Sequence, residues 1–206
     1  MDEASPISEW PRFADKLVEC DDRSSITLAN GGRFIRKLPD DRPLGYLHKF
    51  YAPLSDIALL GSMVSRLPGS YIAFLQWANG ASLFDNTLSL YGYVRNIARS
   101  SAPEFATPIS LNHGNEIFAA VKHQRWMRGW TEIGAVMGWS SVYKIELNSD
   151  GRCAVTSENE ECSSASLEQC MRKVIDRLAA CFDCRGLLDE SGTELEAALS
   201  SLVMPQ

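Results

Sequence analysis

The segment Lys122-His123-Gln124-Arg125-Trp126-Met127-Arg128-Gly129-Trp130 sets four potentially cationic side chains among two tryptophans and a methionine. Trp and Arg dominate binding hot spots, and a cation stacked on an aromatic face can read a protein surface or a single nucleic-acid strand. Arg125, Trp126, Arg128 and Trp130 are therefore candidate partner contacts. The same composition suits a helix end, with cations against the negative end of the dipole and both indoles packed on a sheet. The residues alone leave both readings open. A second cluster, Glu158-Asn159-Glu160-Glu161, reads as an acidic loop between a strand and a long helix. There Glu158, Glu160 and Glu161 either steer a basic partner or simply face water.

Other chemistry has less to stand on. Cys181-Phe182-Asp183-Cys184 is a C-x-x-C, half of a zinc or redox site, with no second C-x-x-C and no paired histidines to complete four ligands. Cys170 and Cys181 fall on one apolar helical stripe, so the expectation is buried thiols. His48, His113 and His123 stand singly, and the chain has no G-x-S-x-G, G-x-G-x-x-G or Walker A motif. The sequence thus leads to no catalytic residue, no metal and no cofactor.

The elements that would position these groups are legible in part. Trp10, Phe13, Leu17 and Cys20 recur at helical spacing. Ile26-Thr27-Leu28 and Phe34-Ile35 flank Asn30-Gly31-Gly32 as a hairpin, after which Pro39, Pro43 and Pro53 argue against regular structure. A helix is expected from Ser55, with Ser55 as cap, Leu54 stapled to Leu59, and Ile57, Leu60, Val64 and Leu67 inward. The next helix starts with Pro68 in its first turn, carries Tyr71, Phe74, Leu75 and Ala78 on one stripe with Trp77 as a buried aromatic, and closes at Asn79-Gly80. A strand over 88–94 follows, then a loop to Asn112, a helix over 115–126, and strands over 131–137, 141–147 and 152–157. In the second of these, Tyr143, Ile145 and Leu147 alternate with Val142, Lys144 and Glu146, which marks one wetter face. Ser166 with Gln169 and Thr193 with Glu196 are capping boxes that open two closing helices, the first striped by Leu167, Cys170, Met171, Val174, Leu178 and Cys181.

Leu67-Pro68, Tyr71, Phe74-Leu75, Asn79-Gly80 and Leu90-Tyr91-Gly92, in this order and spacing, resemble the SUKH superfamily. Glu132-Ile133-Gly134, the strand around Tyr143-Lys144-Ile145, Asp150-Gly151 and the long closing helix extend the resemblance over about 55–184. It implies an α+β fold with a curved, mostly antiparallel sheet against helices on one side. It implies a fold role for Leu67, Pro68, Tyr71, Phe74, Trp77, Asn79, Gly80, Tyr91 and Gly92. It also implies a function: many bacterial members look like immunity proteins that bind a cognate toxin, often a nuclease domain, and block it without catalysis. Fungal cell-wall regulators in the same superfamily offer the alternative, a regulatory interaction scaffold. The chain departs from the pattern in having Gly69-Ser70 where charged residues commonly follow Leu-Pro, and in a longer N-terminal stretch.

Composition agrees with one such domain over 1–206, with an extension over 1–54 and a last helix over 193–204. At 206 residues and 45% hydrophobic content the chain can bury a substantial core. A net charge of −6 disfavours a phosphate-binding surface, so no direct nucleic-acid contact is expected. The start Met1-Asp2-Glu3-Ala4-Ser5-Pro6 is unlike a secretory signal, no apolar run approaches the ~20 residues that span a bilayer, and the cysteines are irregularly placed. These features point to a cytoplasmic protein with no membrane contact; the protein partner is what the resemblance implies.

Overall fold

The structure, a computed structural model, describes residues 25–38, 45–95, 102–138, 140–157, 161–164, 166–182 and 193–203. The helix expected around Trp10 to Cys20, the acidic residues Glu158 and Glu160, and Cys184 lie outside the described residues. Among the described residues nine strands follow one another across a single sheet: β1 (Ile26–Thr27), β2 (Arg33–Lys37), β3 (Tyr46–Phe50), β4 (Ala81–Leu83), β5 (Leu88–Leu90), β6 (Trp130–Met137), β7 (Val142–Asn148), β8 (Cys153–Thr156) and β9 (Glu161–Ser164). Each pairs antiparallel with the next, and the curved sheet does not close. With helices α1 (Gly69–Trp77), α2 (Leu111–Val121), α3 (His123–Met127), α4 (Leu167–Ala179) and α5 (Thr193–Val203), the fold is α+β.

The joints of this fold are the residues around α1. Tyr71 is fully buried, and its hydroxyl lies 2.7 Å from Tyr91 O and 2.9 Å from Ile133 O, so one proton is shared by two carbonyls where the chain leaves β5 beside β6. Asn79 works on the next residues. Its Oδ1 accepts from Tyr93 N at 2.7 Å and its Nδ2 donates to Tyr93 O at 2.8 Å, so a side-chain amide pairs with backbone as a neighbouring strand would. Two glycines allow this approach. A Cβ at Gly92 would sit 2.3 Å from Asn79 O, and Gly80 holds φ +87° with a hypothetical Cβ 2.6 Å from Pro108 Cβ.

Several expectations are corrected by the packing. Pro68 is the extended cap before α1 (ψ 156°), not a residue of its first turn, and α1 ends at an extended Ala78, two residues before the left-handed Gly80. Trp77 packs on Phe50 and Phe74 at the edge of the core and is half-buried. Ile57–Arg66 is 3-10 helical, capped by Asp56 and not Ser55, and Gly61 breaks it at φ 58°, ψ −128°. Leu54 is buried but Leu59 is 39% exposed, so they form no staple. The single helix expected over 115–126 is two, α2 and α3, broken at Lys122 (φ −112°, ψ 47°). The strand expected over 88–94 stops at Leu90, and Gly92 makes an isolated parallel bridge to Ser110. Between the prolines lies β3, buried along its length, and Glu161 opens β9 instead of belonging to a loop.

The two faces of the sheet are both covered at its β6–β9 half. Ile145, Leu147, Cys153 and Val155 join Met171, Val174 and Leu178 of α4 in the main core. Lys144, Glu146 and Thr156 point the other way, and there Lys122 and Arg125 reach Glu146 from the α2–α3 corner. Helices on one side only, as the resemblance implied, is therefore corrected: the face read as wetter carries a fully buried carboxylate under α3.

The β4–β5 connection holds Phe84, Asp85 and Asn86 at φ 53°, 49° and 70°, a conformation costly for side-chain-bearing residues. It is held by Phe84 N–H donating to His48 Nδ1 at 3.3 Å, by Asp85 N–H to Leu47 O at 2.9 Å, and by Lys49 Nζ to Asn86 Oδ1 at 2.8 Å. His48 must be neutral to accept that bond, and burial, aided by the Arg36 charge, lowers its pKa to about 3. Below the ordinary pKa of 6.5 the unfolded chain takes up this proton and the native one does not. Stability contributed by a neutral His48 is therefore complete above pH 6.5 and falls, by up to ~1.4 kcal/mol per pH unit, as pH drops toward 3. Urea unfolding at pH 7 and pH 5 should differ by about 2 kcal/mol more for the native chain than for His48→Gln. At constant pH, Tyr71→Phe should cost ~1 to 3 kcal/mol by leaving a buried carbonyl without its donor, read from the denaturation midpoint.

Candidate functional site

The α2–α3 corner is built on a gap in the sheet. β5 pairs only with Gly134 to Val136 of β6, so the earlier residues of β6 extend past it. Asn115 of α2 fills the place of the missing strand: its Oδ1 accepts from Glu132 N at 2.9 Å and its Nδ2 donates to Glu132 O at 2.8 Å and Leu111 O at 2.8 Å. Because Asn115 takes both backbone groups of Glu132, the facing pair Glu132 and Glu146 is of the non-hydrogen-bonded kind, in which side chains stand closest. Register shifts immediately afterwards, at the irregularity between Glu132 and Gly134.

Two carboxylates side by side repel unless countered. Here they are countered from three directions. Lys144 Nζ lies 2.8 Å from Glu132 Oε1, which also accepts from the Tyr91 hydroxyl at 2.7 Å. Burial, reinforced by the Glu132 charge, raises the Tyr91 pKa, so Tyr91 stays a donor. Glu146, with no exposed surface, meets Arg125 Nε in a short bond, Lys122 Nζ at 3.1 Å and the Thr156 hydroxyl at 2.9 Å. Arg125 continues to Glu161 at 2.7 Å and stacks on Trp130 at 4.4 Å. Arg66, from the 3-10 segment, lies 3.4 Å over the Trp126 ring and donates to Trp126 O at 2.6 Å, and its burial lowers its pKa.

Of the candidate contacts, the fold thus brings Arg125, Trp126, Trp130 and Glu161 together, and leaves Arg128 exposed at the end of α3. Arg125 is turned inward, with its charge held by two carboxylates. Lys122, which belongs to the cationic segment, and Glu132, Glu146, Lys144 and Arg66 complete the cluster, and none of the five was a candidate contact from sequence. The only signal for Lys144 and Glu146 was the alternation of β7, and Arg66 had none, being some sixty residues from its aromatic partner.

Among the polar groups this corner presents outward, such as Glu116, Gln124 and Arg128, stand three large apolar side chains. Ile117 and Val121, one helical turn apart on α2, are 53% and 76% exposed, and Met127 of α3 is 70% exposed. On an adjacent face of α2, Asn112, Asn115, Glu116 and Ala119 border a cleft of about 260 Å³ against Leu60, Ser62 and Met63, with Trp126 at one side. Among the described residues no group of three or more His, Cys, Asp or Glu is placed to hold a metal ion, and Cys153, Cys162 and Cys170 are free thiols. Cys153 is buried against Cys170, and that contact together with burial raises its pKa, which keeps it a thiol. No described helix is long and apolar enough to cross a membrane.

Comparison of the chain with protein-family models, with curated proteins and with solved structures finds no match in any of the three.

Removing the Glu146 charge leaves two cations facing a neutral group in a closed space. Glu146→Gln should therefore lose ~3 to 5 kcal/mol in chemical denaturation, whereas Arg128→Ala should change stability by less than about 0.5 kcal/mol.

Proposed function

We propose that this chain is a toxin-neutralising immunity protein of the SUKH type, which binds a cognate bacterial toxin domain in the cytoplasm and blocks it by occlusion without catalysis. The observation that carries the reading is the division of labour at the α2–α3 corner. Lys122 and Arg125 are tied inward to Glu146 and Glu161, and Lys144 to Glu132, while large apolar side chains at Ile117, Val121 and Met127 face outward beside the exposed Glu116 and Arg128 on a braced support. Such a surface is suited to a protein partner, because preorganised apolar contacts lose little entropy on association. The motif residues from Leu67 to Gly92 support the family reading in another way: Tyr71, Asn79, Gly80 and Gly92 are joints of the fold, which leaves the surface free to vary with the partner.

Co-expression with a toxin domain encoded beside this gene tests the proposal. Survival of the cells and co-purification of a complex are expected; death of the cells with no complex would overturn it. Val121→Glu and Ile117→Glu should weaken the complex by about 2 kcal/mol or more while shifting stability by less than about 0.5 kcal/mol, as titration calorimetry and thermal melting would show.

A further inference from the structure

We infer that Arg66 and Arg128, at the turn from α3 into β6, receive a carboxylate of the protein partner, which covers this corner with an acidic segment. The inference deepens the binding reading above, on which it rests, by naming the partner's chemistry. Its basis is the balance of charge at the corner. Lys122, Arg125 and Lys144 each meet a carboxylate of the chain itself. Arg66 meets none among the described residues. Its guanidinium carbon lies 3.4 Å from the centre of the Trp126 ring, and Nη2 donates to Trp126 O at 2.6 Å and, more weakly, to Trp130 O at 3.4 Å. The cation is thus held by an aromatic face and two neutral carbonyls across the turn of Met127, Arg128 and Gly129, and its charge is left uncompensated while half-buried. Burial alone acts on its pKa, downward, with no anion to oppose it.

A guanidinium in this state suits a carboxylate for two reasons. Its long side chain is already ordered, so a partner group loses little by fixing it further. Donors also remain. Nε is sealed from solvent, but Nη1 makes no hydrogen bond and is not sealed, and a carboxylate placed there gains a charge-assisted bond. Arg128, in the turn that Arg66 holds, is exposed and has no ion pair among the described residues. Met127 beside it is 70% exposed and supplies apolar cover that would keep water from the charged contact. Other exposed cations lack this support: neither Lys173 nor Arg177 of α4 is stacked on a ring. Glu116, which borders the cleft beside Trp126, stands 3.7 Å from His113 instead of pairing with Arg66. The net charge of −6 opposes an acidic surface at long range, so the gain is confined to contact and falls on the lifetime of the complex more than on its rate of formation.

The probes are end-capped hexaglutamate and hexaglutamine peptides and a short oligothymidine, titrated into the full chain. The readouts are NMR shifts of the Trp126 indole N–H and the Arg66 Nε–H. Saturable binding of hexaglutamate near millimolar concentration is expected, with hexaglutamine at least about 10-fold weaker. Arg128→Glu, an exposed change, should weaken hexaglutamate by about 10-fold, and Arg66→Lys, which keeps the charge but loses the planar fork, by about 3-fold. Lys173→Glu makes the same change in net charge on α4, across the sheet, and should alter binding by less than about 2-fold. Equal losses for Lys173→Glu and Arg128→Glu, equal binding of hexaglutamine, or no saturable shift at the two N–H groups would overturn the inference. Oligothymidine binding more tightly than hexaglutamate would overturn it too, and assign the patch to nucleic acid. A complex with the toxin domain encoded beside this gene should dissociate at least about 5-fold faster for Arg128→Glu. If that complex neutralises the toxin and dissociates at an unchanged rate in both variants, the inference falls and the immunity reading stands. If hexaglutamate binds as described while no toxin is neutralised, the immunity reading falls and the carboxylate site stands.

Discussion

The Tyr71 hydroxyl is the point on which the architecture turns. A sheet whose strands all follow in chain order needs no long crossovers, but its middle is interrupted by two helical excursions, α1 before β4 and α2–α3 before β6. Where β5 ends and β6 continues, carbonyls of Tyr91 and Ile133 come close together in the core, beneath α1. Ile133 O already accepts from Tyr91 N–H at 2.8 Å, but Tyr91 O lies just past the end of β5 and needs a donor of its own. Tyr71 brings that donor on an aromatic ring that also fills the core against Phe74. One side chain thereby binds a helix, the end of one strand and the middle of another.

The same difficulty recurs and is met in the same way. Side-chain amides at Asn79 and Asn115 each offer one donor and one acceptor to the backbone of a single residue, Tyr93 and Glu132. An amide has the polarity of a peptide group, so it can stand in for a strand where the sheet frays. At Glu132 this substitution has an electrostatic consequence. It places Glu132 and Glu146 as near neighbours, and the cations of α3 and β7 are drawn in to balance them. A charge network of this kind adds little net stability compared with an apolar core, but it makes any other position of the α2–α3 corner expensive. The apolar residues on that corner are thereby displayed in one orientation.

How much of this was readable in the residues varies by element. The stripe of α4 and its capping serine were plain, because amphipathic periodicity over several turns has few alternative explanations. The β6–β8 meander was read to within a residue or two from alternation and from Asn148 to Gly151. β3 was hidden: it is buried on both faces, so it lacks alternation, and prolines flank it. The 3-10 geometry of Ile57–Arg66 was hidden too, since an apolar face at positions three and four apart suits either helix, and only Gly61 with its positive φ decides. At the candidate site, the Lys122–Trp130 segment stood out by composition, yet composition could not say which cations face inward. That depends on Glu146 and Glu161, which belong to strands that meet the segment only in three dimensions.

By itself, then, the sequence determined the α+β class, the helices with continuous stripes, the central strands and the cluster of residues around α1 that hold the fold, because each of these rests on local periodicity or on a turn's demand for glycine, proline or asparagine. Tertiary structure alone decided the partners of the buried charges, the covering of both sheet faces, the break of α2 from α3 at Lys122, and the stacking of Arg66 on Trp126. The physical reason is that burial and charge pairing are properties of distant residues brought together. A glutamate has the same letter in a solvated loop as in a closed layer between two cations, and only the chain's path through space distinguishes the two.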